Sequence, residues 1–122
     1  MEEVIAMLRN DPILKQLLEE NNIYPFGEGS SIQECIVYEF YTVQDNGVKA
    51  IDRLDITSVG FSIGKSKTIL DRVKTIILTL GDAPLTLKVL KVEQNGGGSL
   101  KNVVGDKTMY HFKAFFNITR RS

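Results

Sequence analysis

A chain of 122 residues with 15 Lys and Arg against 15 Asp and Glu, 43% hydrophobic and 25% charged, has the make-up of one globular domain, since such domains run roughly 100 to 150 residues. Zero formal net charge argues against a binder that works chiefly by neutralising nucleic-acid phosphates, and the composition excludes disordered, collagen-like and disulfide-framework chains. Cys35 is the single cysteine and allows no internal bridge, the start Met1-Glu2-Glu3-Val4 is acidic where a secretory signal is basic, and no apolar run reaches the roughly 20 residues that span a bilayer. A soluble protein made in the cytosol, without membrane attachment, is expected.

The first segment reads as two helices. Val4, Ile5 and Leu8 form an apolar stripe, Asn10-Asp11-Pro12 interrupts it, and Ile13, Leu14, Leu17 and Leu18 resume it. Asp11 suits an N-cap and Pro12 the first helical position, where no backbone donor is needed. The second helix is expected to end at Asn21-Asn22. Ile23-Tyr24-Pro25 reads as a brief extended piece, and a polar loop, Gly27 to Ser31, follows.

Glu34 to Val43 is dense in β-formers, with apolar residues on both parities, which predicts a strand covered on both faces and set well inside a sheet. Asp45-Asn46-Gly47 is a reversal signal, because Asn-Gly takes the positive φ angles of a tight hairpin. The partner strand is expected to return from Ala50 to about Ile63. Ile69, Leu70, Val73, Ile76, Ile77 and Leu80 then fall on one side of a helix, Ser66–Leu80, with Ser66 as cap, Gly81 as terminator and Pro84 beyond. Lys67, Asp71, Lys74 and Leu78 lie on its other side.

Leu85 to Glu93 alternates as a strand, Asn95 to Ser99 reads as a flexible hairpin loop, and Thr108 to Thr119 forms a final strand. One face of that strand is Tyr110, Phe112, Ala114, Phe116 and Ile118, and the wetter face holds Met109, His111, Lys113, Phe115 and Asn117. The order predicts an α+β fold over residues 1–122 as a single domain. Its sheet is mainly antiparallel, of about four to five strands, and carries an N-terminal helical segment and one central amphipathic helix.

The chemistry-bearing residues are sparse. Gly60-Phe61-Ser62-Ile63-Gly64-Lys65-Ser66 approaches a phosphate-binding P-loop but has three residues where that motif needs four between its first glycine and Gly-Lys-Ser. A strand-to-helix turn is the expected reading, with a small nucleotide-binding module as the rival. His111 is the single histidine and sits beside Lys113, with no acid or cysteine nearby in sequence. Cys35 reads as a small buried apolar residue. Asp52 and Asp55, three apart on a strand, project to opposite faces and make no carboxylate pair. Charge is uneven along the chain: residues 1–24 carry a net −3 and residues 101–122 a net +4. The two ends are suited to attract each other within one molecule or head-to-tail between copies, and a basic end for nucleic acid is a third reading.

The layout resembles the tail completion, or tail terminator, proteins of long-tailed bacteriophages and prophages. The resemblance is carried by the leucine-rich helical start, Ile23-Tyr24-Pro25 with its polar loop, Cys35-Ile36-Val37-Tyr38-Glu39, Leu54-Asp55-Ile56-Thr57-Ser58, the amphipathic helix and the glycine-interrupted closing strands. It implies a virion protein, made in the bacterial host cytoplasm, that caps the head-proximal end of the tail tube as a hexameric ring. In that role it stops elongation and offers a docking surface to the head connector. A head-completion or neck protein of the same virion is the neighbouring reading. The implied partners are further copies of the chain, the tail tube protein and the head connector. No catalysis, cofactor, metal, specific nucleic acid or membrane is implied. Contacts are expected at sheet edges and loops: Asp45, Asn46 and Gly47 in the hairpin, Asn95, Gly96, Gly97, Gly98, Ser99 and Lys101 in the glycine-rich stretch, and Leu78 on the helix.

Overall fold

The computed structural model describes residues 2–18, 22–25, 34–79, 89–104 and 106–121. The chain begins with α1 (Glu2–Asn10) and α2 (Pro12–Leu18), followed by β1 (Ile23–Pro25), β2 (Cys35–Asp45) and β3 (Lys49–Gly60). After α3 (Ile63–Thr79) come β4 (Val89–Val104) and β5 (Lys107–Arg121). The five strands form one sheet in the order β1-β2-β3-β5-β4. Only the β1–β2 pair is parallel. This is the α+β architecture expected from the sequence.

The corner between α1 and α2 forms as Asp11-Pro12 predicts. The Leu14 amide donates to Asp11 Oδ2 at 2.9 Å, an N-cap bond. The same carboxylate is clasped by Arg72 from α3, with Nε to Oδ2 at 3.0 Å and Nη2 to Oδ1 at 2.7 Å. That guanidinium is the main reason the Asp11 carboxyl titrates below its ordinary value of 3.8, its partial burial opposing the shift. A carboxyl whose pKa is lowered by folding stabilises the fold above its unfolded value, and the contribution fades as pH falls through the lower folded value. Asp11→Ala should cost about 1 kcal/mol at neutral pH, the usual worth of a cap. The gap between wild type and variant should close in urea titrations taken from about pH 4 downward.

All three helices pack on one face of the sheet. Val4, Ile5, Leu8, Leu14 and Leu18 join Ile69, Leu70, Val73, Ile76 and Ile77 against Ile36, Leu54, Ile56, Ala114, Phe116 and Ile118 to make the core. The predicted helix stripe is therefore the buried one, as far as Ile77. Leu80, Gly81, Pro84 and Leu85 to Lys88 lie outside the described residues, as do Asn21 and the loop Gly27 to Ser31.

Three expectations are corrected by this architecture. First, β2 is not enclosed. Its start is buried at Cys35 and Ile36, but its side chains are mostly exposed from Glu39 to Asp45, because β1 pairs only with Ile36 to Tyr38. Second, β3 stops at Gly60 and the helix begins at Ile63, a turn earlier than predicted. Ser62 is the cap, its Oγ accepting from the Lys65 amide at 3.1 Å. Ser66 is instead fully buried, its hydroxyl donating to the Tyr110 carbonyl at 2.8 Å.

Third, Asn95 to Ser99 is strand. β4 runs through the glycines, shifting register between Gln94 and Gly97, and reverses into β5 just after Val104, which pairs with Lys107. The glycines allow this for a steric reason. Gly96 holds φ +109°, and a Cβ on Gly97 would stand 2.6 Å from the Lys113 carbonyl oxygen. Gly97→Ala should therefore push β4 off β5 and cost about 1–3 kcal/mol. Gly98→Ala, which meets open space, should shift the urea midpoint little.

Candidate functional site

The sheet has a second face, and among the described residues no helix covers it. Reading the register across, Val37, Thr57, Lys113 and Gly98 form one row of this face, and Tyr41, Arg53, Asn117 and Glu93 another. Most of these side chains are exposed or half-buried. Arg53 donates to Asp55 at 2.8 Å and lies over the Phe115 ring, 4.6 Å from its centre. Val37, Tyr38, Glu39, Asp55, Thr57, Lys113 and Phe115 line a shallow depression of about 100 Å³ there. It is small beside the several hundred Å³ of a ligand pocket, roughly 300 or more.

Cys35, Val59 and Met109 form a small apolar cluster on this face, against Tyr24 and Val37. Burial pushes the Cys35 thiol up to about 11. His111 stands in the adjacent strand, paired with Val59 and Leu100. Its pKa is lowered, first by burial and then by Lys113. Its Nε2 is buried without a hydrogen-bond partner among the described residues. A thiol of raised pKa and a histidine of lowered pKa share a face with no carboxylate hydrogen-bonded to either among the described residues.

The near P-loop residues serve packing. Gly60 lets β3 meet the first turn of α3, since a Cβ there would stand 2.6 Å from Ser66 Oγ and 3.1 Å from its backbone nitrogen. Lys65 reaches Glu34 at 3.9 Å, and Glu34 also accepts from the Phe61 amide at 3.2 Å. Ser58, fully buried, donates to the Ser66 carbonyl at 2.8 Å. The lysine is thus tied to Glu34, just ahead of β2, and the serine to β3 and β5 neighbours.

Asp52 and Asp55 do project to opposite faces, as expected. Asp52 is fully buried on the helix-covered side, where Arg120 donates at 2.6 Å and Thr42 at 2.8 Å. The oppositely charged chain ends do not meet among the described residues: Asp11 is held by Arg72, and Arg120 by Asp52.

The residues expected to make contacts occupy three places. Asp45, Asn46 and Gly47 form the β2–β3 tip, a rigid one. Asn46 Oδ1 accepts from the Val48 and Lys49 amides, Asp45 Oδ1 accepts from the Gly47 amide, and Gly47 takes φ +85°. Asn95 to Ser99 and Lys101 lie on β4, the outermost strand at one side of the sheet. Leu78 is exposed on α3. Sequence reading missed Val48 beside the hairpin tip, and Leu100 and Val103 on β4, all exposed apolar residues. Asp106, between Val103-Val104 and Lys107-Thr108, carried a turn signal for the reversal of β4 into β5.

The fold is shared with a virion protein chain. A solved structure described as the virion of a native gene transfer agent particle contains a chain that superposes with a TM-score of 0.71, over 98% of this chain and 92% of that one. Sequence identity is 12%, so the likeness is one of fold. No family model and no curated protein matches the sequence. Among the described residues no helix is long and apolar enough to cross a membrane.

Proposed function

We propose that this chain is a structural protein of a phage-like virion, acting as a ring-forming cap on the head-proximal end of the tail tube. There it ends tube growth and receives the head connector. The observation that carries this reading is the near full-length fold likeness to a chain of a gene transfer agent virion. The sequence-level resemblance to tail terminator proteins supplies the finer role.

The physical character of the molecule supports work by contact without covalent chemistry. Ending a polymer requires one surface that fits the last tube subunit and another that does not propagate it. Among the described residues, a sheet with helices on one face alone, a hairpin tip fixed by side-chain-to-backbone hydrogen bonds, and a short edge strand, β1, opposite a long one, β4, provides chemically distinct surfaces. Electron microscopy of purified tail tubes mixed with this protein tests the proposal. The expected result is a ring at one end only and arrested elongation, and bare tubes that keep growing would overturn it.

A further inference from the structure

His111 is the only histidine in the chain, so apart from the α-amino group it alone has an ordinary pKa that places a change of charge between about pH 5 and 8. It stands in a row of the helix-free face that runs Cys35, Val59, His111, Leu100 across four strands. Its ring nitrogen Nε2 is shut off from solvent and has no hydrogen-bond partner. In the neutral ring this nitrogen can be the bare acceptor, with the proton on Nδ1. In the imidazolium both nitrogens carry protons, so an N–H donor would be buried with nothing to accept from it. The charge would also meet the ammonium of Lys113, two residues along the same face of β5. Val59 and Thr57 on β3, and Gly98 and Leu100 on β4, bring no charged or titratable side chain to the spot. Beyond Val59 lies the Cys35 thiol, which its raised pKa keeps protonated, and Asp55, further along β3, is engaged by Arg53 at 2.8 Å. No anion among the described residues is placed to compensate a charged ring.

From this placement we infer that His111 is an acid-sensitive fastening for β4: neutral, its ring packs in the row between Val59 and Leu100, and protonated, it turns out to water and lets Gly98–Lys101 loosen from β5. β4 is the strand that gives way. It is outermost and joined to the sheet by β5 alone, whereas Val59 on the other side is buried with Cys35 and Met109. The direction follows from linkage. Burial first, and Lys113 second, hold the imidazole below its ordinary value of 6.5. A base whose pKa is lowered by folding leaves the fold at full stability above the unfolded value, and stability declines as pH falls from there through the lower folded value. The Asp11 carboxyl, whose folded pKa lies below 3.8, acts further down the pH axis, so the two losses separate. This device belongs to the free chain and does not depend on ring formation.

Two measurements on the intact wild-type chain test it: NMR titration of the single histidine, and amide hydrogen exchange at about pH 7.5 and about pH 5.5, each amide corrected for its intrinsic rate. The ring should titrate below 6.5. Exchange at Gly98–Lys101 should rise on the order of fivefold at the lower pH, while the amides of α1, on the other side of the sheet, keep their rates. His111→Phe should remove the pH response at Gly98–Lys101, and Lys113→Gln should move the titration back toward 6.5. A ring that titrates at or above 6.5 would overturn the inference. So would exchange at Gly98–Lys101 that is indifferent to pH, a rise shared equally by α1, or a response that survives His111→Phe. The wild-type readings decide the matter even where a variant fails to fold.

Discussion

Arg120→Ala is expected to cost about 3 kcal/mol or more of folding stability, because it strands a carboxylate inside the protein. Asp52 has no exposed surface, and its charge is met by Arg120 at 2.6 and 3.5 Å and by the Thr42 hydroxyl at 2.8 Å. These three residues tie β2, β3 and β5 together near the hairpin end of the sheet. A hydroxyl alone cannot balance a buried anion, so the loss should far exceed that of a surface ion pair, about 1 kcal/mol at most. Adding Asp52→Asn to Arg120→Ala removes the stranded charge and should recover part of the stability, a sign of interaction that only a double-mutant cycle reveals. Urea unfolding of the four proteins decides the matter, and a loss below about 1 kcal/mol for Arg120→Ala would show that Asp52 does not depend on it.

Phe116→Ala should be the most damaging truncation in the core, at about 3–5 kcal/mol. The ring is fully buried in the middle of β5, flanked across the strands by Leu54 and Gln94, and roofed by the helices. A domain of this size has about 5–15 kcal/mol in total, so the variant should unfold at much lower urea and be partly unfolded near physiological temperature. Its sequence neighbour provides the control. Phe115 points to the uncovered face, half-buried beneath Arg53, and Phe115→Ala should cost about 1 kcal/mol from the lost cation–ring contact and packing. Equal losses at 115 and 116 would contradict the one-sided core.

That contrast was legible before any coordinates, because period-two patterning on a long strand assigns faces directly; it holds at Ala114, Phe116 and Ile118, whereas Met109, read on the wetter face, is buried with Cys35 and Val59. The same is true of α3, whose apolar stripe is wide enough to fix which side is buried. Patterning failed where apolar residues lie on both parities. The alternating run around Ile36 and Tyr41 reads as a doubly covered strand, yet burial along β2 is decided by how far β1 extends beside it, and β1 comes from a different part of the chain. The glycine trio failed for a related reason. Three glycines favour a loop on local grounds, but the close approach of the Lys113 carbonyl makes the missing side chain of Gly97 a condition of strand pairing. The hairpin residues were found from their turn chemistry, whereas the edge apolar residues Leu100 and Val103 become distinctive only once β4 is known to be outermost.

Cys35 is the only thiol in the chain, and it lies at the start of β2 with its pKa pushed up to about 11. At neutral pH about one molecule in ten thousand would carry the reactive thiolate while folded, and the sulfur is shielded as well. Alkylating reagents therefore report on the moments when the start of β2 separates from its surroundings. The labelling rate, set against that of an unfolded control, is a clock for the local opening of this corner, available in the unaltered protein and readable by mass alone.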